Sequence, residues 1–167
     1  GLKKLSDFGL DIFLDLKTLD VPNTVKKTVA SISSLKTVKY LTVHTSGGYE
    51  MLRAAREASS QLELLGVTVL TSQSASKDQV SILASLAIKS KLDGVIASAQ
   101  EYLSIRSLSK ELKIFCPGIR GVKDIKHDQK RVMSYSEFCE ISKNDSKAFC
   151  VIGRPCLLYT SDAADER

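Results

Sequence analysis

Short apolar runs recur along the chain, each followed by a stretch whose apolar residues return every three or four positions. The runs lie at 11–16 (DIFLDL), 40–43 (YLTV), 64–70 (LLGVTVL), 94–97 (GVIA), 113–116 (KIFC) and 148–152 (AFCVI). They are rich in aliphatic and β-branched residues and have the length of strands covered on both faces. Between them, Val25, Val29 and Ile32 share one helical face. So do Met51, Ala54, Ala55, Ala58 and Leu62, and later Val80, Leu83, Ala84 and Ala87. Strand and helix alternate through six rounds, the βα rhythm of a parallel sheet.

An open doubly wound sheet and a closed barrel share that rhythm, and the polar residues separate them. Nearly every strand ends in a small polar or charged cluster: DLK, VHTSGG, LTS, ASAQE, CPGIR and IGRP. A barrel assembles its site from many strand ends, whereas an open sheet concentrates it at one switch point. The expected fold class is therefore α/β, a (β/α)8 barrel of the TIM type. At 167 residues the chain is short for such a barrel, which takes about 250. The longest irregular stretch, 117–133, is rich in Gly, Lys and Asp, and loops of that length are functional or disordered.

Composition narrows the picture. The chain is 43% hydrophobic and 26% charged, an ordinary globular balance, but only 6% aromatic with no Trp. Its core must come from Val, Ile, Leu and Ala. The net charge of +5 is scattered, with no basic block of the kind that binds nucleic acid. That balance suits a phosphorylated or carboxylated substrate and equally a solvated surface. Four cysteines (Cys116, Cys139, Cys150, Cys156) form no CxxC pair and have no His at ligand spacing. Reduced thiols, a cytoplasmic location and no metal or cofactor are expected. No apolar run reaches the ~18 residues of a membrane span, so no membrane partner is expected. The segment 156–167 has neither helical nor strand periodicity and reads as a non-native, adaptor-like tail after a domain at 1–155.

The densest chemistry lies in DLKTLDVPNT, residues 15–24. On a strand, positions i and i+2 share a face, so Asp15 and Lys17 point together into the barrel mouth. Leu14 and Leu16 should face the helices. Asp20 follows on the loop, and Pro22 is suited to open the next helix. Such an acid–base–acid set holds a Lys charged, places negative charge beside an anionic substrate group and can then deliver a proton. A strand-end salt bridge followed by a helix cap would produce the same spacing. At the other end, Gly153 permits close backbone approach and Arg154 offers a forked cation, a phosphate-binding combination after a late barrel strand. His44 lacks a metal-spaced partner and is expected to be a packed, hydrogen-bonded residue. Gly47–Gly48 reads as a turn.

The run FLDLKTLDVPNT resembles the signature of the orotidine 5′-phosphate decarboxylase family, and VHTSGG, AAREA, VTVLTS, LDGVIASAQE, PGIR, DQKRV and VIGRP follow in the family's order. That resemblance implies decarboxylation of orotidine 5′-phosphate to uridine 5′-phosphate in de novo pyrimidine synthesis. It implies that Lys17 gives a proton to C6 of the pyrimidine, while Asp15 sits against the substrate carboxylate and holds Lys17. Asp20 and Thr24 would reach the ribose in a second subunit's site, making the enzyme a homodimer with shared sites. Asn23 belongs to the same substrate-binding run. Thr71 and Ser72 match residues lining the pyrimidine. Arg120, Gln129, Gly153 and Arg154 match the phosphate contacts. Cys116 stands where the family usually has Thr and is expected to be buried and inert. Measured against the family, strands 3 to 8 are present and two earlier strands, with a Lys and an Asp of the site, are absent. The chain as given is therefore expected to lack activity. A magnesium-dependent sugar-phosphate decarboxylase or hexulose-phosphate synthase of related fold is the alternative, as is an inactive barrel fragment.

Overall fold

The computed structural model describes residues 9–74, 76–120 and 131–153. The boundary expected at 155 lies outside them. Six strands form one sheet: β1 (Ile12–Thr18), β2 (Val38–His44), β3 (Glu63–Val67), β4 (Gly94–Ile96), β5 (Lys113–Pro117) and β8 (Ala148–Val151). They lie side by side in chain order, and every neighbouring pair is parallel. Helices α1 (Pro22–Ser33), α2 (Gly48–Ala58), α3 (Lys77–Lys89), α4 (Tyr102–Leu108) and α5 (Tyr135–Ile141) follow successive strands. A second, two-stranded ladder joins β6 (Ile119–Arg120) to β7 (Met133–Ser134). The stretch read as irregular thus carries a strand at each end.

Local chemistry explains the helix starts. Pro22 occupies the first turn of α1, where its missing N–H costs nothing. Ser76 caps α3 by accepting the Gln79 N–H, and Ser134 and Glu137 form a reciprocal capping box on α5.

Side chains facing the helices and side chains facing the opposite side of the sheet form two separate clusters. Leu14, Leu41, Val43, Leu64, Val95, Ile114, Cys116, Ala148 and Cys150 join one apolar cluster with helix residues Val25, Val29, Met51, Leu52, Ala55, Val80, Ala84, Ala87, Ile105 and Phe138. The intervening residues Phe13, Tyr40, Phe115 and Phe149 meet one another instead. Phe115 stacks on Phe149 at 4.5 Å, and lies 5.4 Å from Tyr40 and 5.7 Å from Phe13 between ring centroids. This second cluster measures the curvature. In the sheet order β1 and β5 are four strand steps apart, about 19 Å on a flat sheet. Rings from both strands touch, so the sheet is curled round its inner face, as a barrel wall is.

One orientation differs from expectation. Leu14 packs toward the helices, but Leu16 is 52% exposed. The ladder of β1 with β2 jumps from Leu14↔Leu41 to Thr18↔Val43, which breaks the alternation between them.

Candidate functional site

The register jump builds the site. Between the two paired positions β1 has three residues, Asp15, Leu16 and Lys17, against the single Thr42 of β2. Lys17 takes a left-handed backbone conformation, φ +49°, which costs a non-glycine residue about 1–3 kcal/mol. Its N–H donates to the Thr42 hydroxyl at 2.8 Å, and that hydroxyl donates to Asp15 Oδ1 at 2.8 Å. The other carboxylate oxygen, Oδ2, accepts from Lys17 Nζ at 2.5 Å. The Lys charge is held at the rim with its acid partner, and both remain open to solvent.

Beneath the pair lies a cavity of about 190 Å3. Phe13, Val67 and Ile96 form apolar wall, and Asp15, Lys17 and Thr71 bring polar groups to it from the strand ends. Lys17 and Thr71, far apart in sequence, therefore share one cavity. Pro117 and Val151 close its far side, so strands β1, β3, β4, β5 and β8 all contribute near their C-terminal ends. A charged pair over a mostly apolar pocket can hold a small anionic ligand against the Lys and exchange a proton with it.

Other expected residues lie around this centre. Asp20 is exposed and accepts its neighbour Val21's N–H at 2.6 Å, and Asn23 and Thr24 are exposed at the start of α1. Thr24 lines a shallow outer groove with Leu16, Lys27, Thr28 and Ile32 rather than the cavity. Ser72 is exposed beyond Thr71, Arg120 is half-buried in β6, and Gly153 is exposed just after β8. Gln129 and Arg154 lie outside the described residues.

The profile of the Orotidine 5′-phosphate decarboxylase / HUMPS family matches residues 2–161. Orotidine 5′-phosphate decarboxylase of Methylacidiphilum infernorum is 39% identical over 93% of this chain and 72% of its own length. The Ehrlichia chaffeensis protein of the same name is 41% identical, over 95% of this chain and 72% of its own length. The chain belongs to this family. Its fold agrees: the crystal structure of orotidine 5′-phosphate decarboxylase from Lactobacillus acidophilus superposes with a TM-score of 0.71. There the identity is 29%, over 90% of this chain and 70% of that one.

Two features of this decarboxylase-family site escaped the sequence reading. Thr42 is fully buried and looked like one more β-branched strand residue. Arg131 and Glu101 form a buried ion pair, and Arg131 also donates to the carbonyls of Val69 (2.9 Å) and Leu70 (3.1 Å), just before Thr71. Their segments, ASAQE and DQKRV, were visible, but their partnership was not. His44 is half-buried, with Nδ1 3.4 Å from Ser46 Oγ. Burial, then the Lys17 charge, lowers its pKa, so it is a neutral imidazole at pH 7. Burial first, then Glu101, pushes the Cys116 thiol up to about 12. It is inert toward electrophiles at neutral pH. Among the described residues, no helix is long and apolar enough to cross a membrane.

Proposed function

We propose that this protein decarboxylates orotidine 5′-phosphate to uridine 5′-phosphate and carbon dioxide in de novo UMP synthesis. The observation that carries the reading is the Asp15–Lys17 pair, clamped by Thr42 at the rim of an apolar cavity, in a chain of this family. The C6–carboxylate bond breaks, carbon dioxide leaves and the electron pair stays on C6. Lys17, ion-paired with Asp15, gives a proton to C6 and recovers one from solvent. Asp15 also lies against the substrate carboxylate, where like charge opposes the ground state and is relieved as carbon dioxide departs. Thr71 and Ser72 serve the pyrimidine. Arg120, Gln129, Gly153 and Arg154 serve the phosphate, for which a guanidinium fork is well matched.

A homodimer fits the same reading. Asp20, Asn23 and Thr24 lie outside the cavity, beside exposed Leu16, Leu19 and Val21. A second copy on that surface would cover these apolar residues and place Asp20 and Thr24 at its own substrate's ribose.

The test uses protein expressed from its intact gene. Incubation with orotidine 5′-phosphate should yield uridine 5′-phosphate and carbon dioxide in equal amounts, with turnover unchanged by EDTA. No turnover would overturn the reading. Turnover abolished by EDTA and restored by magnesium would favour the metal-dependent sister chemistry. Mixed Asp20→Ala and Lys17→Ala subunits should regain activity that neither variant has alone. Failure to do so despite subunit exchange would place each site within one chain.

A further inference from the structure

We infer that Thr42 is the positioning residue of the Asp15–Lys17 pair, fixing both the strained Lys17 backbone and the plane of the Asp15 carboxylate. The role of the pair itself rests on the decarboxylase reading above.

The need for such a residue comes from the ladder. Where β1 skips register, three of its residues stand against Thr42 alone, and the Lys17 N–H donates to the Thr42 side chain. A backbone donor without a partner destabilises any conformation that requires it, and this one already carries a left-handed φ of +49°. The Thr42 hydroxyl supplies that partner at 2.8 Å. A hydroxyl has one proton to give, and here it goes to Asp15 Oδ1 at 2.8 Å. Accepting from an amide while donating to a carboxylate polarises the hydroxyl and strengthens both bonds.

The result is a closed ring from the Lys17 amide through Thr42 and the Asp15 carboxylate to the Lys17 ammonium. Its exposures show which member anchors it. The Lys17 and Asp15 side chains are 39% and 48% exposed, whereas Thr42 is wholly buried. Two exposed charges alone hold each other loosely, since water competes and both side chains rotate. Thr42 has a single stiff χ1 bond, and its backbone is held in β2 by pairing with Leu65 of β3. Removing its hydroxyl while keeping its shape should leave the barrel folded and the pair misaligned.

Thr42→Val tests this in protein from the intact gene, with Thr42→Ala as the second hydroxyl-free variant should the first not fold. Both should lower kcat about ten- to a hundred-fold, the value of a hydrogen bond to a charged group, with KM changed far less. Thr42→Ser, which keeps the hydroxyl, should stay close to wild type. Hydrogen exchange at the Lys17 amide should be fast in Val and Ala and slow in wild type and Ser. Wild-type kcat in the hydroxyl-free variants would overturn the inference. So would a Ser variant as impaired as Val, because the methyl packing would then matter and not the hydroxyl. Unchanged Lys17 amide exchange would overturn it independently of any assay. A wild type without turnover would instead sink the decarboxylase reading, and the amide measurement would still decide the role of Thr42.

Discussion

Two acid–base pairs sit near the C-terminal rim of the curled sheet, and they are built in opposite ways. Asp15–Lys17 is spaced two residues apart on one strand, is 48% and 39% exposed, and draws on one buried hydroxyl for its alignment. Glu101–Arg131 joins segments thirty residues apart, is 9% and 10% exposed, and ties the Arg to two further carbonyls. The buried pair ties the segment after β3 to the segment before β7, with Glu101 Oε2 and Arg131 Nε buried beside those bonds. The open pair keeps its charge available at the mouth of a cavity and stores strain in the Lys17 backbone. Burial makes Glu101–Arg131 a girder. Exposure on a strained backbone is what the role proposed for Asp15–Lys17 requires.

The comparison breaks most directly at Lys17. Lys17→Ala should cost about 10²- to 10⁴-fold in kcat/KM, the range for losing a positioned proton donor. It should leave the urea midpoint nearly unchanged, because an exposed ion pair contributes at most about 1 kcal/mol. Steady-state kinetics beside a urea titration separates the two. A variant that loses stability and keeps its rate would turn the assignment round, making Asp15–Lys17 the structural pair.

Arg131→Met should do the reverse. It leaves the Glu101 carboxylate buried without its cation and frees the carbonyls of Val69 and Leu70, costing about 3–5 kcal/mol of folding stability. Urea unfolding of the variant gives that figure. The Michaelis constant should rise as well, because Thr71 follows those carbonyls and lines the cavity. A stability loss below about 1 kcal/mol, the range of an exposed pair, would show that Glu101–Arg131 is no girder.

How legible each pair was follows from the range of its contacts. The i, i+2 spacing predicts that Asp15 and Lys17 meet, and they do, although a register jump and not a regular strand brings them together. The six strands and the apolar faces of α1 to α3 were readable because each is a local repeat. Thr42 was not readable, because its role exists only once β1 and β2 are aligned and the register is seen to jump. The same jump turned Leu16 out to solvent against the simple alternation. Glu101 and Arg131 depend on a meeting that no periodicity encodes. The ladder of Ile119–Arg120 with Met133–Ser134 was hidden because two-residue strands carry no pattern.

The smallest expected effect makes a reporter of Cys116, which is fully buried on the helix side of β5. Its thiol is pushed from 9.0 to about 12 by burial first and by Glu101 second. Because the folded pKa is the higher one, the unfolded chain releases this proton first. The stabilisation is complete below pH 9 and is lost as pH rises from 9 toward 12. By pH 10 the loss is about 1.4 kcal/mol. Lysines and tyrosines titrate over the same range, so the quantity to measure is a difference. The fall in unfolding free energy between pH 8 and pH 10 should be about 1.4 kcal/mol smaller in Cys116→Val than in wild type. Equal falls would mean that the thiol ionises normally in the fold.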